Sequence, residues 1–320
     1  MNDILQHIAI MITEYCNLDC YHCFRHIAYQ KSILNLDILS KLSEKIEKTS
    51  VNSIRITGGE PLLIKDIEKL IFSFSRYGLH TSIATNGTLL NSQKIKLLKD
   101  AGLNEMWTSI HSNNVDIHDK LSGKIGSFYS MLNTIDECIK QNINICVNFP
   151  ISIYNIQDSL PTLRFLDDIG VNRIKSLRIT PIGKAIGNSS FEHIGEEEWL
   201  DLVKKVSYVQ FQKSDFKIQG CPPDSINEGK CTVYPLKYLN LSPSGFVYPC
   251  CLLNNCKGME IGYISELLNG DWEQTICLFD KRIKQKYNLL RNPIPCITEK
   301  EKRKVCPLYS KKLHQGLKNV

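Results

Sequence analysis

Short apolar runs recur along the first two thirds of the chain, at residues 7–13 (HIAIMIT), 53–57 (SIRIT), 81–86, 106–110, 143–149 and 174–180. They are brief and rich in isoleucine, as buried strands are. Between them, apolar residues return every three or four positions, most clearly in LDILSKLSEKIEKT. That spacing puts one apolar stripe on a helix. Helices are predicted near 36–49, 64–77, 91–101, 128–141, 157–169 and 196–209, with Asp37 and Asn91-Ser92 as starts. Strand–helix repeats imply parallel strands joined by right-handed crossovers. Six such units predict an α/β fold, a partial (β/α)6 TIM-like barrel open on one side. Its strand C-termini line one mouth.

The alternation stops near residue 210. Residues 212–230 are polar and contain Gly and Pro, the composition of a connector. Beyond them PLKYLNL and FVYPC flank Ser242-Pro243-Ser244-Gly245, a hairpin turn whose late glycine suits positive φ. With 320 residues the chain exceeds one usual core. The expected plan is a barrel over 1–211, a connector over 212–230, and a small α+β domain of hairpin and helices over 231–320.

Cysteine placement changes this picture most. Cys16, Cys20 and Cys23 stand in CNLDCYHC, on the loop that leaves the first strand. Strand C-termini are where such folds place their chemistry. Three thiolates can hold three irons of a four-iron, four-sulfur cluster. The fourth iron is then open to a ligand. A zinc site or a redox pair with a spare thiol are the alternatives, but zinc ligands usually come as two pairs or a full set of four. The second strand runs into Gly58-Gly59-Glu60-Pro61. Two glycines let backbone approach a ligand, and the glutamate is an anionic acceptor beside it.

Together, C-x3-C-x2-C, RITGGEPLL and ATNGTLL (84–90) resemble the radical S-adenosylmethionine (SAM) superfamily over roughly residues 5–185. The resemblance implies a [4Fe-4S] cluster on Cys16, Cys20 and Cys23 whose open iron binds SAM. It implies reductive cleavage of SAM to a 5′-deoxyadenosyl radical that takes a substrate hydrogen. It places the backbone of His22 against adenine, and Gly58, Gly59 and Glu60 at the methionine end, with Glu60 accepting from its ammonium. Thr85 and Asn86 end the third strand in the same cofactor site. Ser109 would bond the ribose or carboxylate, Asn148 would reach the ribose or sulfonium end, and Thr180 would offer backbone to the adenine.

Eight of the thirteen cysteines lie after residue 220. Cys138 and Cys146 fall in helix and strand patterns and read as core. No basic and apolar export signal opens the chain, which favours metal over disulfides for the C-terminal group and a cytoplasmic setting. Zinc stays an alternative there. The stretch from Cys231 through Gly245 to Cys250, followed by IGYISELL, resembles the start of the SPASM or Twitch extension. That resemblance implies one auxiliary [4Fe-4S] cluster, on Cys231, Cys250, Cys296 and Cys306, with Cys251 or Cys256 able to replace one member. The dense late cysteine run of a full SPASM segment is missing.

Net charge is +6, and from Asp280 onward twelve basic residues face three acidic ones. The charges read as a solvated face or as a surface for an acidic peptide. No nucleic-acid module, membrane span or lipidation signal is present. The family resemblance leads first to an enzyme that modifies a ribosomally made peptide by epimerisation, thioether formation or a carbon–carbon crosslink. Its partners would be that peptide and a one-electron reductant such as flavodoxin or ferredoxin. Few residues precede the first strand, so leader recognition is expected on another surface. Cys221 or Cys256 would then donate a hydrogen atom to a substrate radical. The second reading is small-molecule chemistry, meaning alcohol dehydrogenation or sugar or nucleotide rearrangement. RITGGEPLL is similar to the cyclase family that begins molybdenum-cofactor synthesis, where the arginine matching Arg55 meets GTP. Against it, the C-terminal C-x2-C and glycine-ending tail of that family are missing. Arg55 and His111 are the substrate-contact candidates, and Arg55 could instead cap the GGE loop. The third reading, an electron carrier or cluster scaffold, would need four ligands and no SAM pocket.

Overall fold

A computed structural model of the chain describes residues 5–23, 32–179, 184, 194–219, 236–251, 254, 258–287, and the short strands 297–298 and 303–304. Its first part alternates as expected: β1 (His7–Met11), α1 (Leu36–Ile46), β2 (Ser53–Thr57), α2 (Ile67–Ser75), β3 (His80–Ala84), α3 (Ser92–Asp100), β4 (Glu105–Ser109), α4 (Val115–Ser122), α5 (Ser127–Lys140), β5 (Asn144–Ile151), α6 (Ser159–Asp168) and β6 (Arg173–Arg178). Strands β1 to β6 pair in sequence order, all parallel. Period two shows in β2, where Ile54 and Ile56 are buried and Ser53, Arg55 and Thr57 only half-buried.

Local chemistry sets the helix starts. Asn35, rather than Asp37, caps α1, accepting from the backbone N–H groups of Asp37 and Ile38. Asn91 caps α3 by accepting from Lys94 N–H. Helix α4, absent from the periodicity reading, is capped by Asn114 and closed by Gly123 at φ 72°. With only eight residues it shows too little apolar repeat to be noticed.

The sheet extends beyond six units at both edges. After α7 (Glu196–Ser207), β7 (Asp215–Gln219) adds parallel to β6. It lies inside the expected connector, where DFKIQ alternates polar and apolar like an edge strand. At the other edge β8 (Tyr238–Leu241) pairs parallel with β1, and β9 (Phe246–Tyr248) and β10 (Gly262–Tyr263) continue antiparallel. The C-terminal hairpin therefore belongs to one ten-stranded sheet. Helices α8 (Ile264–Asn269) and α9 (Trp272–Tyr287) follow it. Cys138 and Cys146 are fully buried, as core cysteines, and burial pushes both thiols up to about 12.

Arg55 on β2 lies over the Trp107 ring of β4, although β3 runs between them. The small side chain of Ser82 on β3 sits in that gap. Arg55, Ser82, Glu105 and Trp107 therefore share one face of the sheet. Among the described residues no helix is long and apolar enough to cross a membrane.

Candidate active site

The loop after β1 lies across the C-terminal ends of the strands and carries half-buried Cys16, Cys20 and Cys23. It is held from four sides. Tyr21 N–H donates to the Leu121 carbonyl of α4 at 3.0 Å. Gly123 approaches the Asp19 carbonyl so closely that an added Cβ would stand 2.6 Å from that oxygen. Asn17 donates to Thr88 at 2.8 Å and accepts from Asn86 at 2.8 Å. Lys184, beyond β6, donates its N–H to the Cys23 carbonyl and pairs with Asp19.

The GGE loop crosses beside it. Gly59 N–H donates to the Thr13 carbonyl at 2.6 Å and Glu60 N–H to the Tyr15 carbonyl at 2.7 Å. A Cβ on Gly58 would stand 2.7 Å from the Thr13 oxygen, so this crossing tolerates only glycine. Glu60 has 0% exposure. Its carboxylate accepts from Leu62 N–H, from the Thr85 hydroxyl at 2.7 Å and from Asn86 N–H at 2.8 Å. Its carboxylate thus ties the second and third loops together. None of the hydrogen bonds among the described residues uses the Gly58 or Gly59 carbonyl. Asn86 in turn places its Nδ2 at 3.9 Å from Cys16 Sγ.

Behind the cysteine loop three imidazoles stack. His22 meets His111 edge-on at 4.6 Å between centroids, and His111 stacks on His118 at 5.0 Å. Burial, with the charge of His118 second, brings His22 to a pKa of about 4. Burial brings His118 to about 4 and lowers His111 well below its usual value. All three are neutral at pH 7. His111 N–H donates to Nδ1 of His118, which assigns the His118 proton to Nε2. His111 has 4% exposure and packs beneath His22. Its ring lies between those of His22 and His118, under the cysteine loop.

Ser109 and Asn148 are register partners on β4 and β5, both half-buried at the mouth end. Asn148 is in turn paired with Lys175 on β6. Cys250 is half-buried and Cys251 exposed, just past β9. Thr180, Cys221, Cys231, Cys256, Cys296 and Cys306 lie outside the described residues. Asn17, Thr88, His118, Gly123 and Lys184 join the site without having been singled out from sequence. Each makes a contact with a residue that is distant along the chain or on another element.

Residues 10–166 match the Radical SAM superfamily. These residues form a Radical SAM domain, and the chain is an enzyme. It is 27% identical over 229 residues to a probable GTP 3',8-cyclase of Saccharolobus solfataricus, covering 69% of this chain and 72% of the relative. It is 26% identical over 224 residues to one of Sulfurisphaera tokodaii, with 68% and 69% covered. In fold it resembles SuiB of Streptococcus suis bound to S-adenosylmethionine, with TM-score 0.71 and 15% identity over 83% of this chain. That overlap is 65% of SuiB. It also resembles anSMEcpe with bound AdoMet and Kp18Cys peptide, with TM-score 0.66, 15% identity, and 99% of each chain covered.

Membership implies a [4Fe-4S] cluster that binds SAM, and the donor set fits it. Three half-buried thiols, none of them in a disulfide, share one loop, and an amide N–H points at one of the sulfurs. Hydrogen bonds to sulfur are one means by which proteins set a cluster's potential. Among the described residues no three His, Cys, Asp or Glu side chains gather as ligands of one metal ion. Cluster thiolates each take a different iron, so they need not converge on a point.

Proposed function

We propose that this enzyme modifies a peptide through SAM-derived radical chemistry. The carrying observation is a fold likeness that runs through the C-terminal hairpin and covers 99% of this chain and of peptide-bound anSMEcpe, whereas the cyclase relatives align with 69% of it. When bound, the cluster supplies one electron to the sulfonium of SAM, giving methionine and a 5′-deoxyadenosyl radical that takes a hydrogen atom from the substrate.

The chain's own residues have separable tasks in this reading. Cys16, Cys20 and Cys23 hold three irons. With the Glu60 carboxylate engaged by three donors, the Gly58 and Gly59 carbonyls are the acceptors for the ammonium of SAM. Ser109 and Asn148 face its ribose and carboxylate from adjacent strands. The His22 backbone, braced by His111, borders the adenine. An auxiliary cluster on Cys231, Cys250, Cys296 and Cys306, with Cys251 or Cys256 as substitutes, would hold substrate or pass an electron.

Anaerobic reconstitution should give about eight irons per chain, and about four would remove the auxiliary site. Mass spectrometry of peptides encoded beside the gene, incubated with protein, reductant and SAM, should show a mass or stereochemical change together with 5′-deoxyadenosine. A second reading, rearrangement of a nucleotide, is favoured by the cyclase relatives and by Arg55 in RITGGEPLL. Turnover of GTP with no peptide product would establish it instead.

A further inference from the structure

The outer side of the cysteine loop carries an apolar surface that the site does not use. Tyr21 stands between Cys20 and Cys23 and borders an open cleft of about 760 Å³, shared with α4 and the turn before α5. Ile125 at the tip of that turn is 96% exposed, Tyr129 on α5 65% and Tyr21 43%. Single exposed apolar side chains need no explanation, but three large ones around one cleft mark a surface for another protein.

This surface is tied to the cysteine loop in two ways. Through the backbone, Tyr21 N–H holds the Leu121 carbonyl, and Gly123 closes on the Asp19 carbonyl. Through side chains, an unbroken run of rings leads inward. Tyr129 meets Phe128 edge-on at 5.6 Å between centroids, and Phe128 meets His118 edge-on at 5.4 Å. His118 continues through His111 to His22, the residue before Cys23. An electron tunnels further through packed atoms than across a solvent gap, so this surface is coupled to the thiolates.

The charges on the cleft favour an acidic partner. Lys120 and Lys124 are exposed on its rim and make no ion pair among the described residues. Two carboxylates also line it. That of Asp119 is taken up by Gly126 N–H at 2.6 Å, Phe128 N–H at 2.9 Å and the Ser127 hydroxyl at 2.9 Å. Asp116 is the remaining one. Asp19, on the adjoining cysteine loop, is paired with Lys184. Two cations thus face one unengaged carboxylate, on a chain of net charge +6.

We propose that this surface docks the electron donor of the cluster, an acidic carrier of the flavodoxin type. The carrier's exposed flavin edge, flat and apolar, seats on Ile125 and the two tyrosines, and Lys120 and Lys124 meet the carboxylates around it. One electron leaves the reduced flavin and enters the cluster, so the first is oxidised by one electron and the second reduced by one. A small interface with a charged rim suits a carrier that must leave after delivery. The inference rests on the Radical SAM domain and is independent of the choice between peptide and nucleotide.

The test mixes the full chain, reconstituted anaerobically, with reduced flavodoxin and separately with dithionite. Bleaching of the cluster's visible absorption reads electron transfer, and carbodiimide coupling followed by mass spectrometry reads contact. Lys120 or Lys124 should couple to flavodoxin carboxylates. Ile125→Asp should weaken flavodoxin binding and slow reduction by it about tenfold or more, the scale of one lost interface anchor. Lys124→Glu should lower the association rate and its dependence on salt. Both variants should be reduced by dithionite at the unsubstituted rate, which shows cluster and fold intact. Unchanged reduction by flavodoxin in both variants, an equal loss with dithionite, or coupling only to other lysines would overturn the assignment. So would a loss of self-association or of peptide binding in Ile125→Asp with flavodoxin reduction kept, which gives the cleft to a second copy or to the substrate. Absence of any peptide product counts against the proposed function and leaves the docking surface standing.

Discussion

The mouth of the sheet and the layer just beneath it are built on opposite principles. At the mouth, groups from three loops satisfy one another. Glu60 takes donors from its own loop and from the loop after β3, and Asn86 and Asn17 bridge that loop to the cysteines. In the layer beneath, Arg55 and Lys175 lie at the Trp107 ring and make no ion pair among the described residues, and Arg55 Nε is buried with no hydrogen-bond partner. A network closed on itself holds loops in place before any ligand arrives, and a network left open gains its last partner from the ligand.

The contrast can be broken most severely at the cysteines. Alanine at Cys16, Cys20 or Cys23 should abolish 5′-deoxyadenosine release, read by chromatography, and remove iron from this site. Next comes the crossing of the first two loops. Gly58→Ala puts a methyl group 2.7 Å from a backbone oxygen that cannot rotate away, so SAM cleavage should fall by at least about tenfold, equivalent to a misplacement worth ~1.4 kcal/mol. Glu60→Ala leaves three donors unmatched and should cost on the order of 3 kcal/mol in urea unfolding. Glu60→Gln should cost less, because it keeps an acceptor oxygen.

Acid should attack the support behind the mouth. His118 has a pKa of about 4 in the fold against a usual 6.5. As pH falls below 6.5 the unfolded chain takes up the proton first, so stability declines from pH 6.5 towards 4, by about 2 kcal/mol at pH 5. Urea midpoints at pH 7 and pH 5 should show at least that slope, and His118→Phe should reduce it by the His118 share while His22 and His111 keep theirs. The smallest effect is expected at Asn86. Losing its N–H···S contact should shift the cluster's midpoint potential negative by roughly 20–60 mV, one ordinary hydrogen bond expressed for a one-electron couple.

Much of this molecule was legible before any coordinates. The six strand–helix units, the core placement of Cys138 and Cys146, and the gathering of cysteine, GGE and TNG loops at strand ends all follow from local periodicity and from the rule that chemistry sits at strand C-termini. Other features lay beyond that reach. Strand β7 sits in a polar stretch whose pairing with β6 decides its conformation. Helix α4 is too short to show a stripe. The partners of Glu60 and His111 come from other loops, which the order of residues along the chain does not show.

Order along the chain was enough to specify a parallel barrel with an open-iron motif at its mouth, because strand alternation, helical stripes and a cysteine triplet are local signals. Which charges are matched was settled by folding alone. Arg55, Trp107 and Lys175 are 52 and 68 residues apart along the chain, and only the folded sheet sets two cations over one indole while Glu105 is drawn to Arg173. Electrostatic balance depends on distances through space, which the linear order of residues does not contain.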